Sequence, residues 1–246
     1  MSTYAISDIH GLWDKFAAFL DILKEDDVVY VLGDVVDRGI DGIKILTYIM
    51  DHHDQFKMLI GNHEHMMLNY LQETRGVNLE KASRWQLKQI RTLYDRWVLR
   101  NGGETTLTAY EALPELKQEE VLQFIKSLPV AYTNLKIGDN TFYLVHSTPG
   151  DSKKDVVLQT DMLYPNEIHK YVWERPEFLE LYYAKDRVVV SGHTMTYFHH
   201  GKLEVYISKD EEDNIRYIDI DCGCAMNSKD SKLAALCLDD LSIQYF

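Results

Sequence analysis

Asp8, His10, Asp34, Asn62, His146 and His193 are side chains of types that bind metal ions. Together they offer carboxylate, imidazole and amide oxygen, and no thiolate. That mixture suits Mn, Fe or Zn better than copper or iron–sulfur centres. Six such groups are more than one catalytic ion needs if it keeps open positions. Two ions sharing a bridging carboxylate fit the number, and a pair ~3.5–4 Å apart is a known solution for hydrolysing phosphate esters.

The six residues fall in five short motifs: Asp8-Ile9-His10-Gly11, Gly33-Asp34-Val35-Val36-Asp37-Arg38-Gly39, Gly61-Asn62-His63-Glu64, His146 after Thr141–Val145, and Gly192-His193 after Val188–Val190. Each motif follows a strand-like run. In sheets with parallel strands, sites collect beyond the carboxyl ends of the strands. Each residue alone has a plainer reading. Asp8, Asp34 and Asn62 suit helix N-caps, and a lone histidine is commonly a satisfied core residue. The joint placement after five strands is what capping does not explain.

The elements that must position these groups are legible in outline. Thr3–Ser7, Asp27–Leu32 and Phe56–Ile60 read as strands, and Leu12–Leu23, Ile40–Met50 and Glu64–Leu71 as helices. Strand–helix alternation predicts a parallel βαβ arrangement. Leu79–Arg100 and Glu115–Ile125 read as helices of an insertion over roughly residues 72–129, with Trp85 and Trp97 as its core. Thr141–Val145, Arg187–Val190, Leu203–Ile207, Ile215–Ile220, Leu233–Leu238 and Ser242–Phe246 read as strands. The expected fold class is α/β (α+β), a single domain over residues 1–246.

Composition bounds the function. The 246 residues are 46% hydrophobic and 26% charged, enough for a sizeable core. A net charge of −13 argues against nonspecific partners that need basic patches, so neither nucleic acid nor a membrane is an expected partner. It does not exclude a phosphorylated substrate, because bound divalent ions override the global sign locally. No run reaches the ~18 apolar residues of a transmembrane helix. The three cysteines, Cys222, Cys224 and Cys237, are odd in number, and no secretory signal opens the chain. A reducing, cytoplasmic setting is expected, with Cys222-Gly223-Cys224 as a structural turn.

The order Asp-x-His-Gly, Gly-Asp-x-x-Asp-Arg-Gly, Gly-Asn-His-Glu and two later histidines resembles the phosphoprotein phosphatase family of calcineurin-like metallophosphoesterases, nearest its bacterial and phage-type serine/threonine protein phosphatases. The resemblance covers residues 4 to about 225. It implies a four-layer α/β/β/α sandwich and two divalent metal ions, Mn first and Fe or Zn next. Asp8 and His10 would hold the first ion, Asp34 would bridge, and Asn62, His146 and His193 would hold the second. His63 would protonate the leaving alkoxide while Asp37 orients it, and a metal-activated hydroxide would attack phosphorus. Arg38 would bind phosphate oxygens, and Arg175 matches the family's second phosphate-binding arginine, with Arg187, expected at the surface, as the fallback.

The same resemblance implies a phosphorylated protein or peptide as substrate, with small phosphate esters also cleaved. A symmetrical dinucleoside polyphosphate hydrolase shares the metal core, and Glu64 leans away from it, since that branch has aspartate there. A cyclic-nucleotide phosphodiesterase fits the Asp37-Arg38 pair less well. A phosphopeptide-binding scaffold would be expected to have lost ligands. The family often has Ala-Gly after the first late histidine; here Ser147-Thr148-Pro149-Gly150 follows His146. Asn101-Gly102-Gly103 reads as a helix C-cap, and Asp151, Asp155 and Asp161 as a solvated loop. His65 reads as structural or surface, His199-His200 as a turn before Gly201, and His52-His53 as a helix end.

Overall fold

Alternation of apolar side chains between two faces decides how the first strands sit. In the computed structural model, which describes residues 1–150, 157–175, 186–226 and 228–246, Thr3–Ile6 (β1), Val28–Val31 (β2) and Phe56–Met58 (β3) run parallel, with Ala5 opposite Tyr30 and Ile6 opposite Val31. Ala5 and Tyr30 share one face, Ile6, Val29 and Val31 the other. Trp13–Leu20 (α1) and Gly42–Asp51 (α2) cover that second face with Phe16, Phe19, Ile45, Leu46 and Ile49.

Asn62–Thr74 (α3) follows β3. The helices over the expected insertion come next: Arg84–Tyr94 (α4), a π-helical turn at Asp95–Leu99, Glu104–Glu111 (α5) and Glu115–Ser127 (α6). The helix expected from Leu79 begins at Arg84, because Ser83 and Gln86 form a capping box: Gln86 N donates to Ser83 Oγ at 3.2 Å and Ser83 N to Gln86 Oε1 at 3.0 Å. Trp85, expected in the core of the insertion, is 68% exposed, while Trp97 is fully buried. Residues twelve apart differ by about 120° around a regular helix, and the π turn shifts the phase further. Helix α5 was not foreseen, since β-branched Thr105 and Thr106 are poor helix formers.

The second sheet contains Pro129–Ile137 (β4), Asn140–Val145 (β5), Val157–Gln159 (β6), Val188–Ser191 (β7), Tyr206–Lys209 (β8) and Ile215–Asp219 (β9), in the order β6-β4-β5-β7-β9-β8. Strands β5, β7 and β9 are parallel. Strand β4 was missed because Pro129 reads as a helix stop; it is also the first residue of a strand, where proline is tolerated. The strand expected at Leu203–Ile207 lies later, because Gly201, at φ 76°, ends the helical turn Tyr197–His200 and the chain needs the next residues to reverse. Ala234–Cys237 (β10) and Ile243–Tyr245 (β11) return to the first sheet, giving β11-β10-β1-β2-β3.

Ala5, Leu236 and Leu238 of one sheet meet Phe142, Leu144, Val188, Val190 and Ile218 of the other, so the sheets pack face to face. Pro165–Trp173 (α7) buries Tyr171 and Val172 beside the second sheet. Helices and the two mixed sheets form the expected sandwich. Of the acidic stretch, 151–156 lies outside the described residues and Asp161 falls in a 3-10 turn at Thr160–Met162. Among the described residues no helix is long and apolar enough to cross a membrane.

Candidate active site

The carboxyl ends of parallel strands from both sheets converge. Asp8 follows β1, Asp34 follows β2, Asn62 follows β3, His146 follows β5 and His193 follows β7. Asp8, His10, Asp34, Asp37, Arg38 and His193 all hold φ between 48° and 72°. Non-glycine residues rarely adopt this region, and such outliers cluster at functional sites. Here the left-handed turn swings each side chain from its strand end toward the shared centre.

Asp34 sits at that centre. Its Oδ1 accepts from His63 N at 3.0 Å and lies 3.5 Å from His146 Nε2, and its Oδ2 lies 3.7 Å from His10 Nε2. The ligand atoms of His10, Asp34 and His63 fall within 4.8 Å of one another, and so do those of Asp34, His146 and His193. Asp34 is common to both groups. Asp8 joins through Oδ1, 3.9 Å from His10 Nε2, while its Oδ2 accepts from Ser7 Oγ at 2.6 Å and His193 N at 3.0 Å. Asn62 Oδ1 lies 3.0 Å from His146 Nε2 and 2.9 Å from His193 Nδ1.

Backbone carbonyls orient the imidazoles. His10 Nδ1 donates to Val36 O at 2.9 Å, His146 Nδ1 to Leu32 O at 2.7 Å and His193 Nε2 to Trp173 O at 3.2 Å. The second nitrogen of each ring therefore faces inward, the arrangement that fixes a metal-binding tautomer. His10 Nε2 is buried with no hydrogen-bond partner, pointed toward two carboxylates. Burial, and then the charge of His63, hold the His10 pKa well below the ordinary histidine value. A lone pair among carboxylates calls for a cation, and this donor set fits two.

The electrostatics agree. Burial opposes charge on His146, but Asp34 and Asp8 outweigh it and bring its pKa up to about 10. Burial and the neighbouring His146 bring His193 down to about 3. Burial opposes the Asp34 carboxylate too, yet His146 and His63 hold its pKa well below the usual range.

A model of the calcineurin-like phosphoesterase family matches residues 1–197. This chain belongs to that family. A symmetrical bis(5'-nucleosyl)-tetraphosphatase from Delftia acidovorans is 26% identical over 191 residues, which is 75% of this chain and 57% of that one. The chain spans between about a quarter and just over half the length of the curated relatives it matches. Among solved structures, a serine/threonine phosphatase from Saccharomyces cerevisiae superposes with TM-score 0.58 at 13% identity, covering 100% of this chain and 79% of that one. A cold-active protein-tyrosine phosphatase from Shewanella gives 0.51 at 16% identity, covering 99% and 80%. At these identities the likeness is one of fold.

His63 and Asp37 lie beside the centre. His63 Nδ1 donates to Asp37 Oδ2 at 2.6 Å, and its Nε2 faces Asp34 Oδ2 at 3.8 Å. Burial works against charge on His63, but Asp34 and the hydrogen bond to Asp37 raise its pKa above the ordinary value. Arg38 is exposed, with Nη2 3.3 Å from His63 Nε2. Arg175 is exposed too, and its charge reaches His193. Ser147 and Thr148, the departure from the family pattern, both donate to the Glu174 carbonyl, Thr148 at 2.8 Å. They tie down the segment that carries Arg175. Arg187 is not the exposed residue expected: it is half-buried and donates from Nη1 to Thr133 O at 2.5 Å.

Other residues shape the site from behind. Fully buried Glu64 accepts from Asp34 N at 2.9 Å, Gly61 N at 3.0 Å, Val35 N at 2.8 Å and Val36 N at 3.2 Å. It shapes the loop that presents Asp34, so loop geometry accounts for this glutamate. Burial and the Asp34 charge oppose these four donors and leave its pKa at about 7. Glu64→Gln would turn an amide donor toward backbone donors. Leaving one or two buried N–H groups unpaired costs about 1–3 kcal/mol each, so urea unfolding should show a loss of about 2–4 kcal/mol; a loss below ~1 kcal/mol would mean that the loop holds itself. At the end of β9, Asp219 accepts from His199 Nε2 at 2.8 Å, and Asp219 and Asp221 are both pushed well above the usual carboxylate pKa by burial and the Asp8 charge. His65, with Asn69 3.2 Å from its Nε2, is driven down to about 4 by burial and Arg96, a structural role.

Proposed function

We propose that this phosphoesterase removes phosphate from serine or threonine side chains of a phosphorylated protein or peptide. The observation that carries the reading is the buried Asp37–His63 pair facing Asp34. A leaving alkoxide is strongly basic and needs a proton as the P–O bond breaks, whereas a leaving nucleotide phosphate does not. A buried imidazole held by a carboxylate is the device for an alkoxide.

Asp8 and His10 would hold one divalent ion, Asn62, His146 and His193 a second, and Asp34 both. Such a pair, Mn or Fe/Zn, supplies Lewis acidity and an acidified water as nucleophile. The chain's own residues do the rest. Arg38 turns from His63 Nε2 to the phosphoryl oxygens, which suits the planar fork of its guanidinium. Arg175 neutralises the opposite side. As the oxygen of a water that has released one proton to solvent bonds to phosphorus and the ester P–O bond breaks, the proton on His63 Nε2 would pass to the leaving oxygen. Asp37 holds Nδ1 throughout.

A second reading is a symmetrical dinucleoside polyphosphate hydrolase. It draws on the name of the relatives and on Tyr197 and Phe198, 55% and 61% exposed, with Arg175 6.0 Å over the Phe198 ring, where a nucleobase could stack. Hydrolysis of a phosphoserine peptide and of diadenosine tetraphosphate, side by side in excess Mn with a metal-stripped control, separates the two. Metal-dependent peptide turnover supports the proposal. Preference for the dinucleotide moves the substrate class, and no turnover of either in metal-loaded protein rejects both.

A further inference from the structure

We infer that Trp97 is a positioning residue for the reaction: its indole N–H fixes which oxygen of Asp37 faces His63, and through it the inserted helices serve catalysis. The inference rests on the general-acid reading above.

Asp37 Oδ2 accepts from His63 Nδ1 at 2.6 Å and from Trp97 Nε1 at 2.9 Å. Asp37 Oδ1 is buried with no hydrogen-bond partner. A carboxylate tied at one point can turn about its Cβ–Cγ bond and exchange its oxygens. A second donor on the same oxygen, from a rigid buried ring, removes that freedom. The His63 ring is held by this bond, so its inward nitrogen keeps its aim only while Asp37 keeps its own.

The surroundings are built to place that N–H. The π turn at Asp95–Leu99 directs Trp97 inward, and such turns are frequent at functional sites. Gly103 leaves room: a Cβ there would lie 2.6 Å from Trp97 Nε1. The same insertion grips the backbone of the Asp37 loop. Asp37 N donates to Thr106 Oγ1 at 2.8 Å, Arg38 N to Gly102 O at 2.9 Å, and Thr105 Oγ1 to Gly39 O at 2.8 Å. Those three ties hold the loop independently of the indole. Trp97 is the one of the four that reaches the carboxylate. Removing its N–H therefore tests side-chain aim rather than loop folding.

The test uses Trp97→Phe, which keeps a ring and deletes the donor, with Gly103→Ala as an independent way to displace the indole and His63→Asn as the control for the underlying reading. Turnover is measured on a phosphoserine peptide and on 2,4-dinitrophenyl phosphate, whose leaving group needs no proton. Trp97→Phe should lower kcat on the peptide about 10- to 100-fold, a fraction of the ~10²–10⁴-fold that a general acid contributes. It should change the aryl phosphate much less, leave KM for the peptide unaltered and retain metal. Gly103→Ala should show the same selectivity. In 15N-tryptophan-labelled protein, the indole N–H signal lost in Trp97→Phe, one of four, should also be the one that Asp37→Asn displaces most. Equal losses on both substrates, with His63→Asn selective, would make Trp97 merely structural and overturn the inference. An unmoved indole signal in Asp37→Asn would overturn it as well. A His63→Asn variant without selectivity would reject the general-acid reading and this inference with it.

Discussion

Asp34→Asn is expected to abolish metal loading and hydrolysis together. Asp34 is common to the two groups of potential ligands, His10 with His63 and His146 with His193. An asparagine keeps an oxygen for the His63 N–H but loses the charge and the second carboxylate oxygen, which faces His10 at 3.7 Å. The surrounding histidines hold the Asp34 carboxyl ionised against burial. Removing it takes one full negative charge from the point where two cations would be shared. Turnover should fall at least ~10³-fold, the scale of losing a principal electrostatic stabiliser. Elemental analysis after dialysis should find fewer than two ions per chain, with the far-UV spectrum unchanged. Two retained ions and near-normal turnover would remove Asp34 from the bridging position.

What could be read from the chain, and what could not, divides by the range of the interactions. The strands β1, β2 and β3 were legible because Thr3–Ser7, Asp27–Leu32 and Phe56–Ile60 are short apolar runs set between helical segments. The ligand-type residues were legible because each sits within four residues of a strand end and most are flanked by glycine. Gly61 illustrates the constraint: a Cβ there would overlap Asp34 Oδ1. Trp97 was read as core and is buried, yet its polar end meets a residue 60 positions away. No local pattern encodes that pairing, because a π turn breaks the helical period that would have placed the ring. Helix α5 was invisible for a related reason. Its Thr105 and Thr106 serve the Asp37–Gly39 loop rather than an apolar stripe. Glu64 was noticed as a letter in a motif, but three of its four backbone donors, Asp34, Val35 and Val36, become neighbours only once β2 and β3 pair.

His63→Asn should separate binding from proton transfer. His63 follows Asn62 at the start of α3, and its backbone N–H to Asp34 is independent of the side chain. The substitution should therefore leave two metal ions in place and change KM little. The lost function is delivery of a proton from Nε2, which only a basic leaving group requires. Turnover of a phosphoserine peptide should drop about 10²–10³-fold, within the range for general acid catalysis, and turnover of a nitrophenyl phosphate distinctly less. The contrast between substrates matters more than either number, because a misfolded or metal-poor variant would lose both equally. If the peptide and the aryl ester decline by the same factor in metal-replete protein, the proton comes from elsewhere. The buried Asp37–His63 pair would then be a structural link between α3 and the loop after β2.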